Sequence, residues 1–195
     1  MIILASKSVA RTAILTGAGI GFEAVGSGVD EDVTKARLLA GGAGSRAIAQ
    51  ALAAEKAVAV SSERSGLVIG ADQTLELEGR LYDKVADLAA ARDRLELLRG
   101  KTHLLHSAVV VAEAGRVIWS ETVSPVLTMR AVSDAFLEDY LAVEGQAALG
   151  SVGCYRLEGP GIQLFAEIVG DYFSILGLPL LPLLAFLRTQ KAVAA

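Results

Sequence analysis

The chain has 195 residues, 53% of them hydrophobic and 21% charged, with a formal net charge of −4. That length and apolar content suit one packed domain and disfavour extensive disorder. The acidic balance argues against a nucleic-acid partner, because affinity for a phosphate backbone comes from accumulated Lys and Arg. The single cysteine, Cys154, excludes an internal disulfide, and no Cys/His cluster has structural-zinc spacing, as expected in a reducing, cytoplasmic compartment.

The opening MIILA is apolar, has no basic segment before it and is too short for a signal peptide, so it is predicted to be a buried first strand. SKSVARTAILTG follows as a helix with Ser8 at its N-cap and Gly17 at its stop. GFEAVGSGVDE reads as a short strand entering a loop closed by Asp30 and Glu31, and residues 32–62 as two helices interrupted at GGAG. Gly42, Gly44 and Ala47 satisfy G-x-G-x-x-A there, but the preceding TKARLLAG has a helical pattern, so an interhelical turn is expected and not a dinucleotide loop. Residues 67–69, bounded by Gly66 and Gly70, are predicted to be a strand buried on both faces with Asp72 just beyond its end.

LELEGRLYDK then forms a hairpin about Gly79, and ADLAAARDRLELLRG a helix ended by Gly100. Residues 101–132 read as two or three longer strands with a turn at Gly115. His103 and His106 fall in the first of them on opposite faces, which predicts one inward and one outward ring and no shared metal. SDAFLEDYLAVEG is a helix from Ser133, followed by a Gly-rich stretch without an assigned element. The terminal ILGLPLLPLLAFL holds Pro179 and Pro182, is shorter than the ~20 residues a spanning helix needs, and is predicted to be a packed helix with no membrane role. The alternation of strands and helices gives an α/β class with a mixed sheet.

Neither a Walker-type G-x-x-x-x-G-K-[ST] nor a G-x-S-x-G elbow occurs. Ser6, Lys7, Ser8 and Arg11 gather hydroxyls and cations at a strand-to-helix turn, a place that either holds an anion or merely caps the helix. Asp72 could bind a divalent ion, accept a proton from water or make a turn; Glu31 and Glu158 are similarly open, and Lys56 and Lys84 singly read as surface charges.

Together, these residues resemble the Maf family of nucleotide pyrophosphatases, related to the inosine triphosphate pyrophosphatase fold. LASKSVAR is similar to the family's LAS-x-S-x-x-R, GVDED to its VDE loop, AAEKA to A-x-x-KA, IGADQT to GAD[TQ] and LYDKV to L-G-K-P. VGCYRLEGPG and IVGDYFSILGLPL resemble the closing motifs, in the right order. The resemblance implies an elongated mixed sheet with helices on both sides and two lobes flanking a nucleotide cleft. It implies a nucleoside triphosphate substrate cleaved to monophosphate and pyrophosphate, with Asp72 catalytic and Ser6, Ser8, Arg11, Lys56 and Lys84 on the triphosphate. Glu31 and Asp72 would place a divalent ion, Mg²⁺ or Mn²⁺, and a homodimer is expected because dimers are common in the family.

Three further positions bear on the base. Ala10, Gln73 and Glu158 stand where the branch for dTTP and UTP has Arg, Thr and Gln and the branch for 7-methyl-GTP has Trp, Gln and Glu, so the chain shares two of three with the latter. The family's D-K-A-G lysine is replaced by Gly150 and Ser151, which leaves a non-enzymatic, nucleotide-binding regulator of septum formation as the alternative.

Overall fold

The IILA run, residues Ile2–Ala5, forms β1, which lies between β2 (Glu23–Val25) and β3 (Leu67–Leu77), parallel to both. All four of its residues are buried, as a strand covered on both faces requires. The other strands are β4 (Arg80–Tyr82), β5 (Thr102–Glu113), β6 (Arg116–Val123), β7 (Val126–Met129) and β8 (Phe165–Val169). The computed structural model describes residues 1–194 and orders them in one mixed, eight-stranded sheet, β2-β1-β3-β5-β7-β8, with β4 on β3 and β6 on β5. The expected α/β class holds.

Seven α-helices complete the described chain: α1 (Val9–Gly17), α2 (Glu31–Ala40), α3 (Ser45–Ser61), α4 (Leu88–Leu98), α5 (Asp134–Glu144), α6 (Tyr172–Ile175) and α7 (Leu180–Thr189). Ser8, Asp30, Asp87, Ser133 and Asp171 cap α1, α2, α4, α5 and α6, each accepting a backbone N–H three residues on. Two hairpin turns use paired positive φ, Glu78 and Gly79 at 53° and 76° and Ala114 and Gly115 at 48° and 74°, the twist that joins adjacent antiparallel strands. No described helix is long and apolar enough to cross a membrane.

The chain divides into two compact units. The first holds residues 1–73, 106–124 and the described residues from 171 onward, and its sheet is covered on both faces by a strict period of two. Ile2, Leu4, Ile69, Ala71, Val109 and Val111 pack with α1 and α7 through Ile14, Leu15, Leu180, Leu183 and Leu187. Residues of the alternate register face the other way: Ala108, Val110 and Ala112 meet Ala49, Ala53 and Ala57 of α3, and Ile3, Ala5 and Val68 meet Val60. Alanines on both partners let this helix lie close to the sheet.

The closest point is Gly70. A Cβ there would stand 2.1 Å from the Ala53 carbonyl oxygen and 2.7 Å from the Ala57 nitrogen, so only glycine fits under α3. This corrects the expectation that Gly70 ends a short strand with Asp72 just past it. Gly70 lies inside an 11-residue strand, and Asp72 is in its middle. Glycine here answers a close backbone approach and not a turn.

The second unit holds residues 74–105 and 125–170. α4 and α5 pack with the 3-10 segments Gly145–Gly150 and Pro160–Leu164, and β8 pairs antiparallel with β7. β8 was not foreseen within the Gly-rich stretch. His103 of β5 sits here, with Nε2 2.7 Å from the Tyr155 hydroxyl and its ring 6.1 Å from that of Phe165. His106, in the first unit, bonds Ser124 Oγ through Nδ1 at 2.8 Å. Both histidines are buried, against the expectation that one faces outward, and each has its own hydroxyl partner.

Candidate active site

Period two decides what the middle of β3 offers. Val68, Gly70 and Asp72 point to the α3 face, whereas Ile69, Ala71 and Gln73 point to the α1 and α7 face. Asp72 therefore meets Lys56, which lies between the contact residues Ala53 and Ala57 of α3: Lys56 Nζ donates to Asp72 Oδ1 at 2.7 Å. The same ammonium is 2.8 Å from Glu31 Oε1. Glu31 is the first residue of α2, capped by Asp30, and not a loop carboxylate as expected; a carboxylate in a first helical turn is favoured by the backbone dipole.

Lys56 and Asp72 are 5% and 7% exposed, so this ion pair is withdrawn from water. Burial pushes the Asp72 carboxyl above its ordinary value; Lys56 and Arg11 oppose the rise and Glu31 adds to it. Glu31 goes the other way. Its partial burial works against ionisation, but the bond to Lys56 and the charges of Lys56, Lys35 and Arg11 prevail and hold it below the usual carboxylate value. One carboxylate is thus kept ionised while its neighbour is made a stronger base.

On the opposite face the entry to α1 is closely tied. Ser8 caps the helix and its backbone N–H donates to Ser6 Oγ at 3.2 Å. Arg11 donates from Nη1 to Ser6 Oγ at 3.3 Å and from Nε to the Gly177 carbonyl at 2.8 Å. Burial lowers the Arg11 pKa, with Asp72 and Glu31 opposing the shift electrostatically. Ala10 is half-buried in the first turn of α1.

Gln73 belongs to this face as well. Its Nε2 donates to Ser107 Oγ at 2.7 Å, to the Ile175 carbonyl at 3.0 Å and to the Ser174 carbonyl at 3.1 Å. Ser107, Ser174 and Gly177 were not singled out in the sequence. Ser107 was legible in principle, two residues before Val109 and so on the same face of β5, but a lone serine in a strand carries no motif.

The first unit therefore brings together Ser6, Ser8, Ala10, Arg11, Glu31, Lys56, Asp72 and Gln73. Lys84 and Glu158 belong to the second unit. Lys84 is exposed beyond β4, and Glu158 Oε1 accepts from Arg156 Nε at 3.3 Å. Ser151, in place of the family lysine, serves its own turn: its hydroxyl donates to the Tyr155 carbonyl at 2.8 Å and accepts from the Tyr155 N–H at 3.1 Å. Cys154 is buried, and its thiol is raised to about 11 by burial, opposed by Arg94, which disfavours the thiolate.

No group of three or more His, Cys, Asp and Glu able to ligate a metal occurs among the described residues. Two carboxylates converging on one ammonium nevertheless fit Mg²⁺, which keeps several waters and takes one or two protein carboxylates beside substrate phosphates. Such an ion and Lys56 would share the oxygens of Glu31 and Asp72.

A family model described as Maf-like protein matches residues 1–190. The chain is 60% identical over 190 residues, 97% of it and 96% of the relative, to a protein of Caulobacter vibrioides named nucleoside triphosphate pyrophosphatase. It is 52% identical to one of the same name from Granulibacter bethesdensis, over 98% of both chains. A protein of Brucella abortus named 7-methyl-GTP pyrophosphatase is 47% identical over 98% of this chain and 97% of its own. With the motifs in order and the match spanning nearly every residue, the chain belongs to the Maf-like protein family.

Proposed function

We propose that this protein hydrolyses a nucleoside triphosphate between its α and β phosphates, releasing nucleoside monophosphate and pyrophosphate, as the names of its relatives say of them. The observation that carries the reading is the buried Lys56 held between Asp72 and Glu31, with Arg11 near enough to influence both. Buried, convergent charges of this kind are expensive for a fold and are most readily understood as chemistry.

In this reading Asp72, made more basic by burial, orients the attacking water and takes its proton. Arg11 and Ser6 bind phosphoryl oxygens at the capped entry of α1, where Ser8 holds the turn. Lys56 fixes the Asp72 carboxylate and adds positive charge where negative charge develops. Glu31 and Asp72 would hold Mg²⁺ or Mn²⁺, which supplies charge neutralisation on the phosphate oxygens. Lys84 on the triphosphate and Glu158 at the base enter on the motif resemblance alone, and so do cytoplasmic residence and a homodimer.

The test is product analysis with Mg²⁺ and a panel of triphosphates that includes 7-methyl-GTP. Monophosphate and pyrophosphate from the natural protein, and neither from Asp72→Asn, support the proposal. Stepwise orthophosphate release refutes it. Nucleotide binding without turnover across the panel would favour a regulatory binder instead.

A further inference from the structure

α2 carries Glu31 into the site, yet little apolar surface holds it there. Of its ten described residues only Thr34 is buried, and Val33 and Leu39 are 64% and 50% exposed. A helix this short is marginal on its own, so its place is set by contacts with the rest of the fold. Besides the Glu31–Lys56 pair, two side-chain bonds tie it to α3, and both end on Glu55. Thr34 Oγ1 donates to Glu55 Oε2 at 2.6 Å and Arg37 Nη2 to Glu55 Oε1 at 2.6 Å, so each carboxylate oxygen has its own donor.

Glu55 precedes Lys56, and successive side chains on a helix diverge by about 100°. Lys56 thus turns to the sheet and Asp72 while Glu55 turns to α2. The two contacts also have opposite polarity. Glu31 and Arg37 stand about 9 Å apart along α2 and meet Lys56 and Glu55, respectively. Running α2 the other way along α3 would set Glu31 against Glu55 and Arg37 against Lys56, so charge fixes its direction. A slide along α3 would take the buried Thr34 hydroxyl, one turn after Glu31, from its acceptor.

We propose that Glu55 is a positioning residue: by clasping Thr34 and Arg37 it holds α2 at the register that delivers Glu31 to Lys56, and so governs how well Glu31 serves a divalent ion. The second part rests on the pyrophosphatase reading, in which Glu31 and Asp72 hold that ion. Asp72 and Lys56 belong to β3 and α3 and keep their own bond without α2. The clasp therefore acts on the metal requirement more than on the base. All of these residues lie in the first unit.

The first test needs no turnover. Backbone hydrogen exchange is measured without added metal on the natural protein, Glu55→Leu, Thr34→Val and Thr34→Ser. Amides of residues 34–36, where the Thr34 N–H bonds the Asp30 carbonyl at 3.3 Å, are expected to exchange at least roughly tenfold faster in Glu55→Leu and Thr34→Val. Thr34→Ser keeps the hydroxyl and should keep the protection, and amides of β1 and β3 should be unchanged in all four. Unchanged exchange in α2, or loosening confined to its last turn, overturns the proposal.

The second test follows pyrophosphate release against Mn²⁺ concentration. Glu55→Leu is expected to raise the half-maximal Mn²⁺ concentration by roughly tenfold, as loss of a group that orients a metal ligand does, with kcat at saturating Mn²⁺ lowered by about threefold or less. Added to Glu31→Gln, the same substitution should raise it no further, because the residue it positions is already gone. An equal rise in that background shows that Glu55 does not act through Glu31 and refutes the proposal. Loosened α2 in the variants of a protein that hydrolyses no triphosphate would leave the clasp standing and refute the pyrophosphatase reading instead.

Discussion

The two units each bury polar side chains, but in opposite electrical states. In the first, Lys56 lies between two carboxylates, 2.7 Å from Asp72 and 2.8 Å from Glu31, as an ion-paired cluster. In the second, His103 and Tyr155 share a hydrogen bond among aromatic rings, and burial keeps both neutral: the imidazole falls from 6.5 to about 4 and the phenol rises well above its ordinary value. A neutral pair inside a fold is explained by packing and one hydrogen bond. An ion pair that could be replaced by apolar side chains at little loss calls for another explanation, and phosphate chemistry supplies it.

The sharpest break in that contrast is Asp72→Asn, which keeps the shape and removes the base. It is expected to lower kcat by about 10²–10⁴ while leaving the fold intact, since Lys56 retains Glu31 as its partner. A variant with unimpaired turnover would put the base elsewhere. Next is Lys56→Met, which strands Asp72 in a buried place. Denaturant unfolding at pH 8 is expected to show a loss of roughly 3 kcal/mol, and a smaller loss as the pH is lowered, because burial makes Asp72 take up a proton more readily.

The neutral cluster has the opposite pH signature. Because the folded His103 refuses a proton that the unfolded chain accepts, its contribution is complete above pH 6.5 and is lost as pH falls toward about 4, a change of about 3 kcal/mol. His103→Phe should remove this decline, as measured by unfolding at a series of pH values, without abolishing turnover at pH 8. The smallest effect is expected for Glu31→Gln. Glu31, with its side chain 44% exposed, is held below its ordinary 4.5. It therefore stabilises the fold above that pH by no more than about 1 kcal/mol, an effect lost as pH falls through its lowered value. Asp72 runs in reverse, its ionisation weighing against the fold above its ordinary 3.8.

Local signals in the sequence were legible wherever the physics is local. Ser8 and Ser133 announced their helices, Gly79 and Gly115 their turns, and the apolar MIILA its burial from Ile2 onward, Met1 itself being exposed. Glu31 was misplaced because capping by Asp30 draws it into α2, and Asp30-Glu31 after a Gly-rich run looks like loop until the helix behind it is credited with its cap. Gly70 misled for a different reason: its meaning depends on α3, from which Ala53 and Ala57 approach, and nothing within several residues of it reports that contact. The same holds for the site. Motif spacing named Asp72 and Lys56, but their meeting at 2.7 Å, and the hydrogen bond from Gln73 to Ser107, follow from which face of a strand each residue takes.

The crossing at Gly70 has a mechanical consequence. Because backbone meets backbone there, with Lys56 between the two touching residues of α3, the height and rotation of that lysine over the sheet are set by main-chain contact and not by adjustable side chains. The crossing works as a gauge block: swapping core side chains elsewhere leaves the 2.7 Å reach to Asp72 unchanged, whereas inserting one residue between Ala53 and Lys56 would swing the ammonium by about 100° around the helix and out of the site.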